Sequence, residues 1–257
     1  MTSAPAFVRA TFESIPEIAI SPGHNFQAMT MQEARSLMTI YLDSADLDDA
    51  RAAAELGFVR GITTNPNLMR PITSDPLAHT AELLADTDFP EIYYQPCGAY
   101  RSLTDEARSA VALAPERIVI KLPATPGGVG IAAKMIGCGA RVALTAAQTP
   151  NAMIVAEALG AEAVIPYVDR ALRDPRTDNN LVCSLASVRR RGTRIIAASV
   201  KNGGQFSQAF VDRADVVSAP LDVLRQVLDH PASLEAEQDF GEAYGAHSLV
   251  LATFEGV

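Results

Sequence analysis

From Thr39 onward, short apolar runs of five to eight residues alternate with longer stretches whose apolar positions recur every three or four. Runs of the first kind suit strands buried on both faces, and stretches of the second kind suit amphipathic helices. "TIYLDS" is followed by "DLDDARAAAEL", where Asp46 is placed to cap and Leu47, Ala50 and Ala54 share a face. "FVRGITT" precedes "PLAHTAELLAD", and "EIYYQ" precedes "SLTDEARSAVALA", which opens on a capping Ser102. "RIVIKLP" leads into "GVGIAAKMIGCG", closed by glycines, and "RVALTAAQ" into "TPNAMIVAEALG", with Pro150 in the first turn. "AEAVIPYV", "TRIIAAS" and "ADVVSAP" then alternate with "NNLVCSLASVRRRG", "GGQFSQAFVDR" and "LDVLRQVLDH".

Eight strand–helix units in succession predict parallel strands joined by right-handed crossovers, an arrangement that closes most naturally into a (β/α)8 TIM barrel. An open doubly wound sheet is the alternative, but no G-x-G-x-x-G follows the first strand. The barrel is expected over residues 39–232. Residues 1–38, with Pro5, Pro16 and Pro22, read as a partly ordered extension whose "TMQEARSLM" helix would plug the barrel bottom or meet a partner. Residues 233–257 read as a C-terminal helix packing on the barrel or on a neighbouring subunit.

Charge narrows the range of functions. A net charge of −9 over 257 residues argues against nucleic-acid and anionic-membrane binding, yet leaves room for a small anionic substrate held by local cations. No stretch approaches the 18 or so apolar residues of a membrane span, and the N-terminus lacks a basic region followed by an apolar core. Cys97, Cys138 and Cys183 lie far apart, as do the four histidines, and neither set has metal-ligand spacing. No metal is expected, and a reducing cytoplasm is the expected location.

Only three of the 21 cationic residues are lysines. One of them, Lys121, stands inside the apolar strand of "RIVIKLPATPGGVG". Burial there would push its pKa down toward a nucleophilic free amine. A strand-end lysine reaching solvent or a carboxylate is the plainer alternative.

Catalytic groups of a barrel come from the C-terminal ends of several strands. Those ends hold Asp43, Thr63 and Asn65, Gln95, Lys121, Thr145, Tyr167 and Arg170, and finally Ser199 and Lys201. Each has a plainer reading. Asp43 would cap a helix, "TTNPN" would be a turn, and Gln95 and Thr145 would be satisfied inner polar groups. Tyr167 would be core with a wet hydroxyl, and Arg170 would pair with Asp169 or Asp174. Together they set an amine, a carboxylate, hydroxyls, amides and a cation around one mouth.

"YLDSAD", "GITTNPNLM", "IVIKLPAT", "IPYVDR" and "AASVKN", in this order, resemble the signature blocks of the transaldolase family. Order and spacing are most similar to its short-chain, fructose-6-phosphate aldolase-like branch, over about residues 40–245. The resemblance implies a class I aldolase or transaldolase without a cofactor, acting on ketose phosphates. Lys121 would form a Schiff base with the ketose carbonyl, and a dihydroxyacetone unit would be cleaved off or transferred. Asp43 would hold a substrate hydroxyl and assist its proton transfer. Asn65, with Thr63 beside it, would bind the dihydroxyacetone part, and Thr145 would position a catalytic water. Arg170 and Ser199 would bind the sugar phosphate, with Lys201 as a third group.

Gln95 and Tyr167 carry a finer distinction. Classical transaldolases resemble this chain but place glutamate and phenylalanine there, whereas the Gln/Tyr pair resembles the aldolase-type branch and tilts the reading toward release of free dihydroxyacetone. Pro96 and Cys97 after Gln95, and the arginine-rich "RALRDPRTDNN", depart from the family pattern and leave the acceptor sugar open. The resemblance further implies a homo-oligomer built through the C-terminal helix, with a small ketose or sugar phosphate as the other partner. Two other classes compete. A phosphate-handling isomerase would need a glutamate or histidine base at a strand end, and a non-catalytic sugar-phosphate-binding barrel would not need Lys121 together with Asp43.

Overall fold

Eight apolar runs pair side by side in chain order in the computed structural model, which describes residues 38–98 and 102–243. The strands are β1 (Thr39–Asp43), β2 (Val59–Thr63), β3 (Glu91–Tyr94), β4 (Ile118–Pro123), β5 (Val142–Ala147), β6 (Ala163–Pro166), β7 (Arg194–Ala197) and β8 (Val216–Ala219). All are parallel, and β8 returns to β1, with Thr39 opposite Val216 and Leu42 opposite Ala219. This is the closed (β/α)8 barrel expected from the alternating pattern, not the open sheet.

The helices between strands are α1 (Leu47–Glu55), α2 (Pro66–Met69), α3 (Pro76–Asp86), α4 (Leu103–Leu113), α5 (Pro126–Gly137) and α6 (Asn151–Leu159). They continue as α7 (Val168–Arg173), α8 (Leu181–Val188), α9 (Gly203–Val211), α10 (Leu221–Gln226) and α11 (Pro231–Ala243). Asp46 and Ser102 cap α1 and α4 as expected. Thr125 caps α5, whose first residue Pro126 lies two residues ahead of the stretch read from sequence, and Pro150 sits just before α6 rather than in its first turn. The short α2 and α7 were not anticipated, and α11 starts at Pro231 rather than Ser233. The N-terminal extension with its helix, and the chain beyond Ala243, lie outside the described residues. None of the described helices is long and apolar enough to cross a membrane.

Two apolar layers follow from the alternation of side chains along a strand. One face of each strand packs against the helices, through residues such as Leu42, Ile62, Ile92, Ile120 and Leu144. The other face fills the barrel with Tyr41, Tyr93, Val119, Ala143, Ile165, Ile196 and Val216. Two residues further along the same face come Asp43, Gln95, Lys121, Thr145, Tyr167 and Ser218. The pleat that builds the inner core thus also places the polar groups at its C-terminal end.

At the opposite end the barrel is closed by charge. Glu91 accepts hydrogen bonds from Tyr41, Arg141 and Arg194, and Glu162 accepts from both arginines. Arg194 also donates to the Tyr93 hydroxyl at 2.7 Å. Burial alone would raise the pKa of Glu91, but Arg194, Tyr41 and Arg141 outweigh it and hold the carboxyl well below its usual range.

Candidate active site

Lys121 is the fourth residue of β4 and is 2% exposed. Its side chain lies on the inner face, two residues past Val119, and among the described residues its amine forms no ion pair. Burial brings its pKa down from 10.5 to about 8, against the opposing pull of the Asp43 carboxylate. At pH 7 about one amine in ten is then neutral, against fewer than about one in a thousand for a solvated lysine. The end of β4 is also sterically fixed. A Cβ on Gly128 would stand 2.1 Å from the Pro123 carbonyl oxygen, so only glycine lets the start of α5 pack against the strand end just beyond Lys121.

Around this amine the other groups fall into three sets. In the first, Thr63 donates to Asp43 at 2.8 Å and lies 2.6 Å from the Ser218 hydroxyl, with Thr63 and Ser218 fully buried. A hydroxyl has one proton, so with Thr63 donating to Asp43, Ser218 must donate to Thr63. The carboxylate is thereby held by a two-hydroxyl chain spanning β1, β2 and β8. Asp43 does not cap α1, since Asp46 does.

The second set is Thr145, Tyr167 and Gln95. The Thr145 and Tyr167 hydroxyls share a 3.2 Å hydrogen bond between β5 and the end of β6. Thr145 precedes a register shift in which Ala146 takes φ 55°, a left-handed backbone that L residues adopt at a cost of about 1 kcal/mol. Gln95 follows β3, and its Oε1 is buried without a hydrogen-bond partner. The plainer reading of Gln95 as a satisfied inner group does not hold for this oxygen, which can still accept a hydrogen bond.

The third set is cationic. Arg170 stacks its guanidinium 4.5 Å from the centre of the Tyr167 ring rather than pairing with Asp169 or Asp174, which are bound by Arg173 and Arg176. Arg170, Arg173, Ser199 and Lys201, with Asp169, Asp174 and Pro175, line a cavity of about 560 Å³. Ser199, like Ala146, has a left-handed backbone, with φ 60°. A neighbouring cavity of about 430 Å³, between α7, α8 and α9, is lined by none of the residues picked from the sequence.

Asn65 stands apart from these sets. Its Oδ1 accepts from the backbone N–H groups of Asn67 and Leu68 and so caps α2, which leaves its amide N–H groups for a ligand. Two buried polar residues escaped the sequence reading. Ser218 occupies the inward position of "VVSAP" and was legible from the alternation alone. Glu106 looked like an ordinary acidic residue in a helical first turn, and only the folded β3–α4 connection shows what it binds.

The family model described as Transaldolase/Fructose-6-phosphate aldolase matches residues 90–253. The chain belongs to this family. A "Probable transaldolase" of Pelodictyon phaeoclathratiforme is 32% identical over 206 residues, covering 76% of this chain and 92% of that protein. Another protein of that name, from Symbiobacterium thermophilum, is 33% identical over 198 residues, covering 76% and 91%. Among solved structures, FabK from Thermotoga maritima superposes with a TM-score of 0.52 at 16% identity, over 71% of this chain and 58% of that one. This last likeness reflects the barrel alone. As a member of the transaldolase family, the chain is an enzyme whose substrate class is sugar phosphates.

Proposed function

We propose that this transaldolase-family barrel is a Schiff-base aldolase that cleaves a ketose phosphate and releases dihydroxyacetone. The observation that carries the reading is the Lys121 amine, buried inside the barrel and brought down to about 8 by its surroundings. Its neutral form attacks the ketose carbonyl carbon, and loss of water leaves a protonated iminium. The bond one carbon further on, between the α carbon and the hydroxyl-bearing β carbon (C3–C4 of the ketose), then breaks with its electron pair moving toward the iminium, giving an enamine. The hydroxyl proton of the leaving aldehyde passes to Asp43. A water held by Gln95, Thr145 and Tyr167 protonates the enamine carbon, and hydrolysis of the renewed iminium frees dihydroxyacetone and Lys121. Thr63 fixes Asp43, the Asn65 amide holds dihydroxyacetone, and Arg170, Ser199 and Lys201 take the phosphate, to which an arginine presents paired donors.

A second reading is supported by the names of the relatives, each a "Probable transaldolase". There the enamine attacks an acceptor aldehyde instead of being protonated. Self-association through the C-terminal segment fits the surface of α11, which has no buried residue and exposes Leu234 and Phe240.

Borohydride trapping tests the chemistry. Protein incubated with fructose 6-phosphate or dihydroxyacetone, then reduced, should carry a stable adduct that peptide mass spectrometry maps to Lys121. An adduct elsewhere, or none with either ketose, overturns the Schiff-base reading. Free dihydroxyacetone release measured against transfer to an aldehyde phosphate then separates aldolase from transaldolase.

A further inference from the structure

We propose that Glu106 is the positioning residue for Gln95, acting as a clamp on the β3–α4 connection. This role presupposes the water-holding function given above to Gln95. Glu106 is 0% exposed, buried more deeply than any other carboxylate among the described residues. Every hydrogen bond that its carboxylate accepts there comes from the short segment bracketing Gln95. Oε1 accepts from the Tyr94 hydroxyl at 2.7 Å and the Cys97 backbone N–H at 2.9 Å, with the Cys97 thiol donating at 3.5 Å. Oε2 accepts from the Gly98 N–H at 2.8 Å.

Gln95 lies between these anchored residues, and the buried Pro96 directly after it holds its backbone extended. Gly98 takes φ 80°, a left-handed conformation that turns its N–H onto the carboxylate and that a β-branched side chain does not tolerate. The side-chain oxygen of Gln95 has no partner of its own to hold it. Its place is therefore set from behind, by an anion that gathers donors on both sides. In this construction Pro96 restrains the chain, and the backbone N–H groups of Cys97 and Gly98 complete the clamp.

A clamp of this kind needs two acceptor oxygens. In Glu106→Gln one oxygen becomes an NH2 facing backbone N–H donors, so the loop shifts while Lys121, on β4, is untouched. Iminium formation should persist and the steps that use the Gln95 water should slow. The experiment compares unsubstituted protein, Glu106→Gln, Gln95→Ala and the double variant for kcat, KM and the yield of the Lys121 borohydride adduct. Expected for Glu106→Gln is a kcat lower by about tenfold or more, a KM within about twofold and a full adduct yield. In the Gln95→Ala background the same substitution should cost less than about twofold further.

Should Glu106→Gln not fold, Gly98→Val breaks the clamp from the loop side and should give the same pattern. Gly98→Asn, which accepts left-handed backbone, should retain turnover. Additive losses in the double variant, an adduct yield that falls in step with kcat, or an unchanged kcat would overturn the positioning role while leaving the Schiff-base reading intact. No adduct in the unsubstituted protein would overturn both.

Discussion

The two ends of this barrel treat buried charge in opposite ways. At the N-terminal end, Glu91, Arg141, Glu162 and Arg194 are interlocked with the hydroxyls of Tyr41 and Tyr93. At the C-terminal end, Lys121 is buried as deeply but has no ion-pair partner among the described residues. The desolvation is the same in kind, and pairing decides its effect. Paired, Glu91 is pinned in its ionised form; unpaired, Lys121 is drawn toward its neutral form. One end uses its charges to close the fold, and the other keeps an amine partly neutral.

Replacing each charge breaks the comparison in opposite directions. On the proposed Schiff-base route, Lys121→Met should lower turnover by at least about a thousandfold, since the variant lacks the amine that attacks the carbonyl. The same variant should gain stability. The drop from 10.5 to about 8 corresponds to about 3 kcal/mol of preference for the uncharged amine. That penalty is fully present below about pH 8 and vanishes as the pH rises through 10.5. Denaturant unfolding at pH 7 should therefore show the methionine protein more stable, with the difference closing at high pH.

Glu91→Gln should do the reverse, costing about 3–5 kcal/mol by leaving two buried arginines short of a partner. Turnover per folded molecule should barely change, because Glu91 sits at the far end from the amine. The folded carboxyl ionises more readily than the unfolded one, so its contribution is present above the ordinary carboxylate range, about pH 4.3, and is lost as the pH falls below it. Unfolding curves of the two proteins should thus differ at neutral pH and converge as the pH is lowered.

The smallest effect sharpens the reactive end. The rate of Lys121 adduct formation should rise with pH and level off near pH 8, following the neutral amine. Asp43→Asn removes the carboxylate that raises the lysine pKa, so the rising limb should move to lower pH. An unmoved limb would mean that another group governs it.

Much of this contrast was legible in the chain. Lys121 stood out as a lysine inside an apolar strand, and the strand-by-strand reading put it with Asp43, Gln95, Thr145 and Tyr167 at the same mouth. What the pattern could not show was partnership between residues far apart in sequence. Glu91 and Arg194 are 103 residues apart and Thr63 and Ser218 are 155 apart, and only barrel closure makes them neighbours. Glu106 was hidden for another reason: an acid in a first turn already has an ordinary explanation in capping and the helix dipole. Asn65 shows the converse, since its side-chain oxygen does take up the plain turn-capping role.

The closure of β8 onto β1 also has a consequence for the newly made chain. The first strand emerges from synthesis long before its eighth-strand neighbour, so one edge of the growing sheet stays open until Ser218 and its flanking residues are available. Before closure, water would reach the interior at that seam, Thr63 would lack its serine donor, and Lys121 would keep the charge of a solvated lysine. On the proposed mechanism, a nascent or truncated chain would therefore lack its low-pKa amine until the last strand seals the barrel.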